Sequence, residues 1–355
     1  NYLDKARQRP EKVKMVLDKV KTDGLLTTID AVKSKLDQPL PMGYSNVGII
    51  EEVGEDVTEF KVGDRVVSNG SHSEMVCVPK NLVAHVPDSV SDEDAAFTVV
   101  SSIALQGIRL LNPTIGESFV VMGLGLIGLI SIQILKANGC KVLGMDFDPS
   151  KVALANDLGV ESLLLADGVD SVKIAKSFSN NIGIDGVLIT AATKSNDPVH
   201  NAAQMCRQKG RIVLVGVVGL DLQRNDFYEK ELTFSVSCSY GPGRYDKSYE
   251  EEGNDYPVGY VRWTEKRNFE SILEMIKNKS ITFDLLKTMD FKFDDAPKAY
   301  ETLTTNSSTL GIILNYSPEN VIDRKTIEIK SSRNKEKKYE KVIIGAIGAG
   351  NHAGR

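Results

Sequence analysis

Three glycines in the run Gly123-Leu124-Gly125-Leu126-Ile127-Gly128, with Asp146 eighteen positions after the last of them (146 minus 128), are the residues whose types and spacing can do chemistry. Gly123 permits a tight turn, Gly125 lets main chain approach a pyrophosphate, and Gly128 lets a helix pack close on the strand before it. The helix opening at Leu126 and Ile127 would turn its free amides and the positive end of its dipole toward the phosphates. A carboxylate roughly twenty residues on suits an adenosine ribose, whose hydroxyls donate to it. It also repels a 2'-phosphate, so the pattern predicts NAD rather than NADP. Glycine spacing alone is weak; strand, helix and acid in register carry the reading.

For those residues to meet, strands and helices must alternate, and they do: 118–122, 127–137, 141–146, 150–158, 186–190, 199–208 and 211–217, with a last strand over 233–240. This order predicts an α/β fold, a doubly wound parallel sheet with helices on both faces. Before it, β-branched runs broken by Gly-Asp and Asn-Gly between Pro41 and Pro87 predict a small all-β module, followed by a helix through residues 92–111. Residues 1–36 space their apolar positions as two short amphipathic helices interrupted at Gly24. After residue 240 come an irregular stretch, a helix near 268–278, a closing helix over 294–303 and a strand over 310–316.

With 355 residues, 41% of them hydrophobic, the chain has enough apolar material for two domains. Its net charge of −5 gives no general attraction to nucleic acid or to an anionic membrane. Cys77, Cys140, Cys206 and Cys238 stand singly, with no C-x-x-C pair, which argues against a zinc cluster or disulfide framework and for a reducing, cytoplasmic setting. Cys140 and Cys238 fall in expected strands as small apolar residues. No apolar segment is long enough to span a bilayer. His85 and His200 are isolated and take no role, and His72, a lone loop histidine, is expected to be solvated.

Four segments carry a resemblance: "GIIEEVGEDVTEFKVGDRV", "GESFVVMGLGLIGL", "KGRIVLVGVVG" and "DDAPKAYETL" with "LGIILNY". Together, over residues 40 to 316, they resemble the medium-chain dehydrogenase/reductase family. The resemblance implies a GroES-like β-domain that holds substrate, a Rossmann domain that holds NAD, and a cleft between them. The implied boundaries are 1–110 for the first helices and a partial GroES-like domain, 111–240 for the Rossmann domain, and 241–316 for an insertion and a return to the substrate domain. Zinc members of the family carry Gly-His-Glu where this chain has Gly43, Tyr44 and Ser45, and the loop with four structural cysteines is missing. The expectation is therefore a zinc-independent, NAD-dependent oxidoreductase with no metal, acting on a hydroxyl or carbonyl of a small substrate.

By the same resemblance Tyr44 takes a ligand position facing the nicotinamide and handles the proton, with Ser45, Ser101 and Ser102 near it. Val217 and Val218 end a strand whose main chain meets the carboxamide, and a homodimer is the family's usual assembly. The insertion gathers Arg244, Tyr245 and Trp263, whose aromatic faces stack on sugar rings or bases and whose guanidinium binds phosphate, a set suited to a nucleotide-sugar. It could equally form a lid or interface.

The last fifteen residues, with Gly348, Gly350 and Ala353, resemble the first strand and turn of the glucose-fructose oxidoreductase and inositol dehydrogenase family. They imply a second Rossmann domain starting at 341 after a linker over 317–340, as in bacterial two-domain oxidoreductases associated with surface-polysaccharide synthesis. The chain is thus expected to be part of a longer one, fused to a second oxidoreductase. Two other readings stay open: a catalytically silent dinucleotide-holding or dimerising scaffold for that second enzyme, and a quinone or enoyl reductase, which the acid at Asp146 disfavours.

Overall fold

The computed structural model describes residues 41–317 apart from 307, together with residues 14, 18, 21, 22, 24 and 28. The chain divides after Tyr316, and the described residues up to there belong to one unit. The expected linker and the second glycine turn lie outside the described residues, as does most of the expected helical N-terminal segment.

Six parallel strands make the central sheet: β4 (Ser118–Met122), β5 (Lys141–Asp146), β6 (Glu161–Leu164), β7 (Ile184–Ile189), β8 (Cys206–Leu214) and β9 (Thr233–Val236). Their order is β6-β5-β4-β7-β8-β9, so the winding reverses between β4 and β7. Side chains alternate across the sheet as strand geometry requires. Phe119 and Val121 of β4 join one core with Leu188, while Val120 and Met122 join the other with Val187 and Ile189. Helices α2 (Thr98–Leu111) and α3 (Leu126–Ala137) cover the first face, and α5 (Ser171–Phe178) and α6 (Asp197–Met205) the second. The doubly wound sheet is as the alternation predicts.

Three departures have local causes. The expected continuous helix over 92–111 is two, α1 (Asp92–Ala95) and α2. Between them Phe97 turns inward, 4% exposed and stacked on Phe283 with ring centroids 4.6 Å apart. The expected helix 199–208 gives way to strand at Cys206, and the strand expected over 233–240 stops at Val236, which leaves Cys238 exposed rather than in a strand. β6 and α5 were absent from the expected order. Their signal was present: Asp170 caps α5 by accepting from the Lys173 amide, and Val172, Ala175 and Phe178 recur at helical spacing toward the second core.

The β-rich module is an antiparallel sheet of β1 (Asn46–Ile49), β2 (Arg65–Ser68) and β3 (Val83–His85). Phe60, Val66 and Val83 form its own small cluster, while Val67, Leu82 and Ala84 join the main core beside Phe269 and Ile272 of α9 (Glu265–Lys277). Remaining elements are α4 (Pro149–Asp157), α7 (Arg224–Tyr228), α8 (Lys247–Glu250) within the stretch expected to be irregular, and a parallel pair, β10 (Lys287–Lys292) and β11 (Gly311–Asn315), joined through α10 (Ala296–Thr305). Among the described residues no helix is long and apolar enough to cross a membrane.

Candidate functional site

The crevice at the winding reversal is built by the loops that follow β4 and β7. Gly123 continues the ladder by donating to Met145 O at 2.8 Å, then turns with φ +98°. A Cβ there would lie 2.7 Å from the Ala191 amide nitrogen, so the turn can sit against the β7 loop only as glycine. A Cβ at Gly128 would lie 1.9 Å from Gly123 O, whereas one at Gly125 would meet nothing within 4 Å. The space over Gly125 is open. Thr190 Oγ1 donates to Gly123 O at 2.5 Å and locks the turn from the β7 side.

Leu129 N donates to Gly125 O at 2.9 Å, the first bond of α3. The amides of Leu126, Ile127 and Gly128 precede it and have no intrahelical acceptor. They form the donor end of a twelve-residue dipole at the mouth of the open turn. Asp146, at the end of β5, accepts the Leu124 amide on Oδ2 at 2.6 Å and the Asp148 amide on Oδ1 at 2.9 Å. Each oxygen keeps lone-pair capacity for a further donor. The residues present therefore fit a dinucleotide: an unobstructed glycine for the pyrophosphate, helix amides and an oriented acid.

At the next loop, Val217 donates to Ala191 O at 3.0 Å and accepts from Thr193 N at 2.8 Å. Its side chain is exposed and its main-chain donor is spent, while Val218 packs into the second core.

Helix α2 carries the site beyond the sheet. Asn112, at its end, binds Arg211 of β8, and a Cβ at Gly107 would touch Val215, just past the end of β8, so α2 runs against the strands. Because Asn112 meets Arg211 within β8 and Gly107 meets Val215 just past its end, the earlier turns of α2 run on toward the strand edge that carries the glycine turn. Ser45 Oγ donates to Ala96 O at 2.6 Å and fastens the Met42–Ser45 segment to the start of α2. Tyr44 is about half exposed, 48%, and burial of its ring raises its hydroxyl pKa. Ser102 Oγ donates to Thr98 O at 2.9 Å, but Ser101 Oγ and Thr98 Oγ1 are buried with no hydrogen-bond partner.

His72 is not solvated as expected. Its amide donates to Met42 O at 2.7 Å, its ring covers Gly43, where a Cβ would lie 2.2 Å from ring carbon, and its Nδ1 lies 2.6 Å from Tyr300 Oη. Burial holds its pKa below the ordinary value.

The insertion's candidates are engaged with one another. Arg244 pairs with Glu250 and lies 4.3 Å over the exposed Tyr245 ring, and Trp263 carries Arg109 at 3.4 Å and Arg262 at 3.8 Å on its ring. Behind them Glu265 is fully buried, and neither carboxyl oxygen has a partner. Burial, then the nearby Glu250, push its pKa up to about 8. Sequence reasoning missed Glu265 and Tyr300 and expected His72 to be solvated.

Among the described residues no group of three His, Cys, Asp or Glu side chains gathers to hold a metal ion. The groups that the described contacts bring together at the start of α2 are chiefly hydroxyls, with the His72 imidazole and the Glu74 carboxylate near Tyr316. A zinc ion takes three or four nitrogen, thiolate or carboxylate ligands, more than the described residues gather at this place.

Comparison with known proteins agrees with this architecture. Residues 19–88 match the model of the alcohol dehydrogenase GroES-like domain, and residues 127–252 that of the zinc-binding dehydrogenase. The chain is 29% identical over 269 residues to D-guloside 3-dehydrogenase of Escherichia coli (strain K12), covering 73% of this chain and 72% of that protein. Among solved structures it resembles galactitol-1-phosphate dehydrogenase from Escherichia coli, with TM-score 0.66 and 19% identity over 78% of this chain and 84% of that one. It also resembles the alcohol dehydrogenase from Thermus sp. ATN1, with TM-score 0.65 and 21% identity over 78% and 84% of the two chains. At these identities the structural matches speak for the fold.

Proposed function

Given that the chain belongs to the medium-chain, alcohol dehydrogenase-like family of oxidoreductases, we propose that it is a zinc-independent, NAD-dependent dehydrogenase acting on a secondary hydroxyl of a small sugar-derived substrate. The observation that carries the reading is Asp146, fixed by the Leu124 amide at the edge of the open glycine turn. There the carboxylate accepts ribose hydroxyls and repels a 2'-phosphate, while the amides of Leu126, Ile127 and Gly128 bind the pyrophosphate. The similarity to a D-guloside 3-dehydrogenase supports a sugar hydroxyl as the reacting group.

When bound, the nicotinamide supplies a hydride acceptor. The chain must orient the alcohol and take its proton. Tyr44, whose hydroxyl pKa is raised, stays protonated at neutral pH and serves as a donor that polarises a carbonyl in the reductive direction. Ser45 Oγ already donates its hydrogen bond to Ala96 O and offers lone pairs only; Ser101 has both donor and acceptor unspent. Zinc independence is supported by the hydroxyl-rich donor set at this edge.

The test is a titration with NADH and NADPH, followed by turnover with glycosides and sugar alcohols in the presence of NAD. Saturable binding that favours NADH, with oxidation of a sugar hydroxyl, is the expected result. Equal affinity for NADPH would remove Asp146 from its role, and binding without turnover would favour the scaffold reading.

A further inference from the structure

Resting on the dehydrogenase reading above, we propose that His72 Nε2 accepts the proton of the substrate hydroxyl, and that Tyr300 is the positioning residue that holds the imidazole in the tautomer this requires. Three contacts locate the ring. Its own amide is tied to Met42 O, its face lies on the Gly43 main chain, and Nδ1 meets Tyr300 Oη at 2.6 Å. The Met42–Ser45 segment is in turn fastened to Ala96, at the start of the helix that overhangs the crevice. Hydrogen bonds from two directions thus hold His72 on the segment that is fastened at the start of α2.

The chemistry follows from which nitrogen is spent. With Nδ1–H donating to Tyr300 Oη, the lone pair sits on Nε2, which makes no hydrogen bond among the described residues. As the substrate C–H bond breaks and its hydride goes to the nicotinamide dinucleotide, the O–H bond breaks and its proton goes to Nε2. The alcohol becomes a carbonyl, the dinucleotide is reduced by two electrons, and the imidazolium returns the proton to water through its partly exposed ring. Tyr44, kept protonated, cannot accept this proton near neutral pH. Burial favours the neutral imidazole, the form that accepts. The group that meets the ring is Tyr300 on α10, and Tyr300 and Glu74 both act electrostatically on the nearby Tyr316 hydroxyl. Burial raises the hydroxyl pKa of Tyr300, so it too stays neutral.

The experiment uses the full chain and three readouts. Nitrogen-15 NMR of the wild type should show neutral His72 protonated at Nδ1 and titrating below the ordinary histidine value of about 6.5; Tyr300→Phe should lose the tautomer preference. His72→Gln and His72→Asn should bind NADH as the wild type does and melt cooperatively, yet lose about a hundredfold or more in kcat for sugar-alcohol oxidation, together with the acid limb of the pH profile. Added imidazole should restore part of the rate to His72→Ala. A folded His72→Gln or His72→Asn variant that keeps its kcat, or an Nε2–H tautomer in the wild type, overturns the proposal while leaving the dehydrogenase reading intact. A wild type that binds no dinucleotide or oxidises no sugar alcohol overturns both.

Discussion

Asp146 Oδ2 accepts the Leu124 amide at 2.6 Å, so the acid at the end of β5 and the glycine turn after β4 form one mechanical unit. The carboxylate that would select the cofactor also holds the loop that would bind its phosphates. Asp146→Asn keeps an acceptor for Leu124 but removes the charge. Its NADPH-to-NADH affinity ratio should rise about tenfold, or about 1.4 kcal/mol. Asp146→Ala should in addition lose roughly 1–3 kcal/mol of stability, because the Leu124 amide is left unpaired. Fluorescence titration and urea melts separate the two effects, and an unchanged ratio in the asparagine variant would sink the assignment.

Gly125 and Gly128 look alike in sequence and should fail differently. A Cβ at Gly125 meets nothing in the protein, so Gly125→Ala should melt like the wild type while NADH affinity falls, the methyl occupying space meant for pyrophosphate. At Gly128 the methyl would press on Gly123 O at 1.9 Å. Gly128→Ala should therefore cost about 1–3 kcal/mol of stability as well as affinity. Equal melting temperatures for the two variants would refute this division of labour.

Glu265 predicts a pH-dependent stability with a defined sign. Its folded pKa is raised to about 8 from 4.5, chiefly by burial. Below the unfolded value both states hold the proton and no penalty exists. As pH climbs toward 8 the unfolded chain gives up its proton first, so stability drains away across that window. Glu265→Gln removes the ionisation: relative to the wild type it should gain stability between pH 5 and 9, on the order of 1–3 kcal/mol at the upper end. Parallel denaturation curves at pH 5 and pH 9 check it, and a constant difference between the two proteins would reject it.

Metal removal offers a fourth check. Dialysis against a strong chelator should leave NADH binding and sugar oxidation unchanged, and elemental analysis should find zinc well below one equivalent. Loss of activity that zinc restores would mean that residues outside the hydroxyl and imidazole set supply ligands.

How much of this could be read from the chain alone depends on the sequence distance over which each feature is set. The glycine turn and, apart from β6 and α5, the run of strands and helices from β4 to β8 were legible because strand and helix periods, and the reach of a turn, are fixed by neighbours within about twenty residues. The short β6 and the break before α2 were harder: four residues carry little pattern, and the break follows the burial of Phe97 against Phe283 from far along the chain.

Sequence by itself determined the parallel α/β scaffold, the glycine turn and an acid at the right spacing to join it. Only tertiary structure decided that His72 is held by Tyr300, 228 positions away, that Ser45 is spent on Ala96, 51 positions away, and that Glu265 lies buried without a partner. A side chain's hydrogen-bond partner, and the water it loses, depend on which surfaces close over it. Those surfaces come from segments whose separation in sequence says nothing about their separation in space.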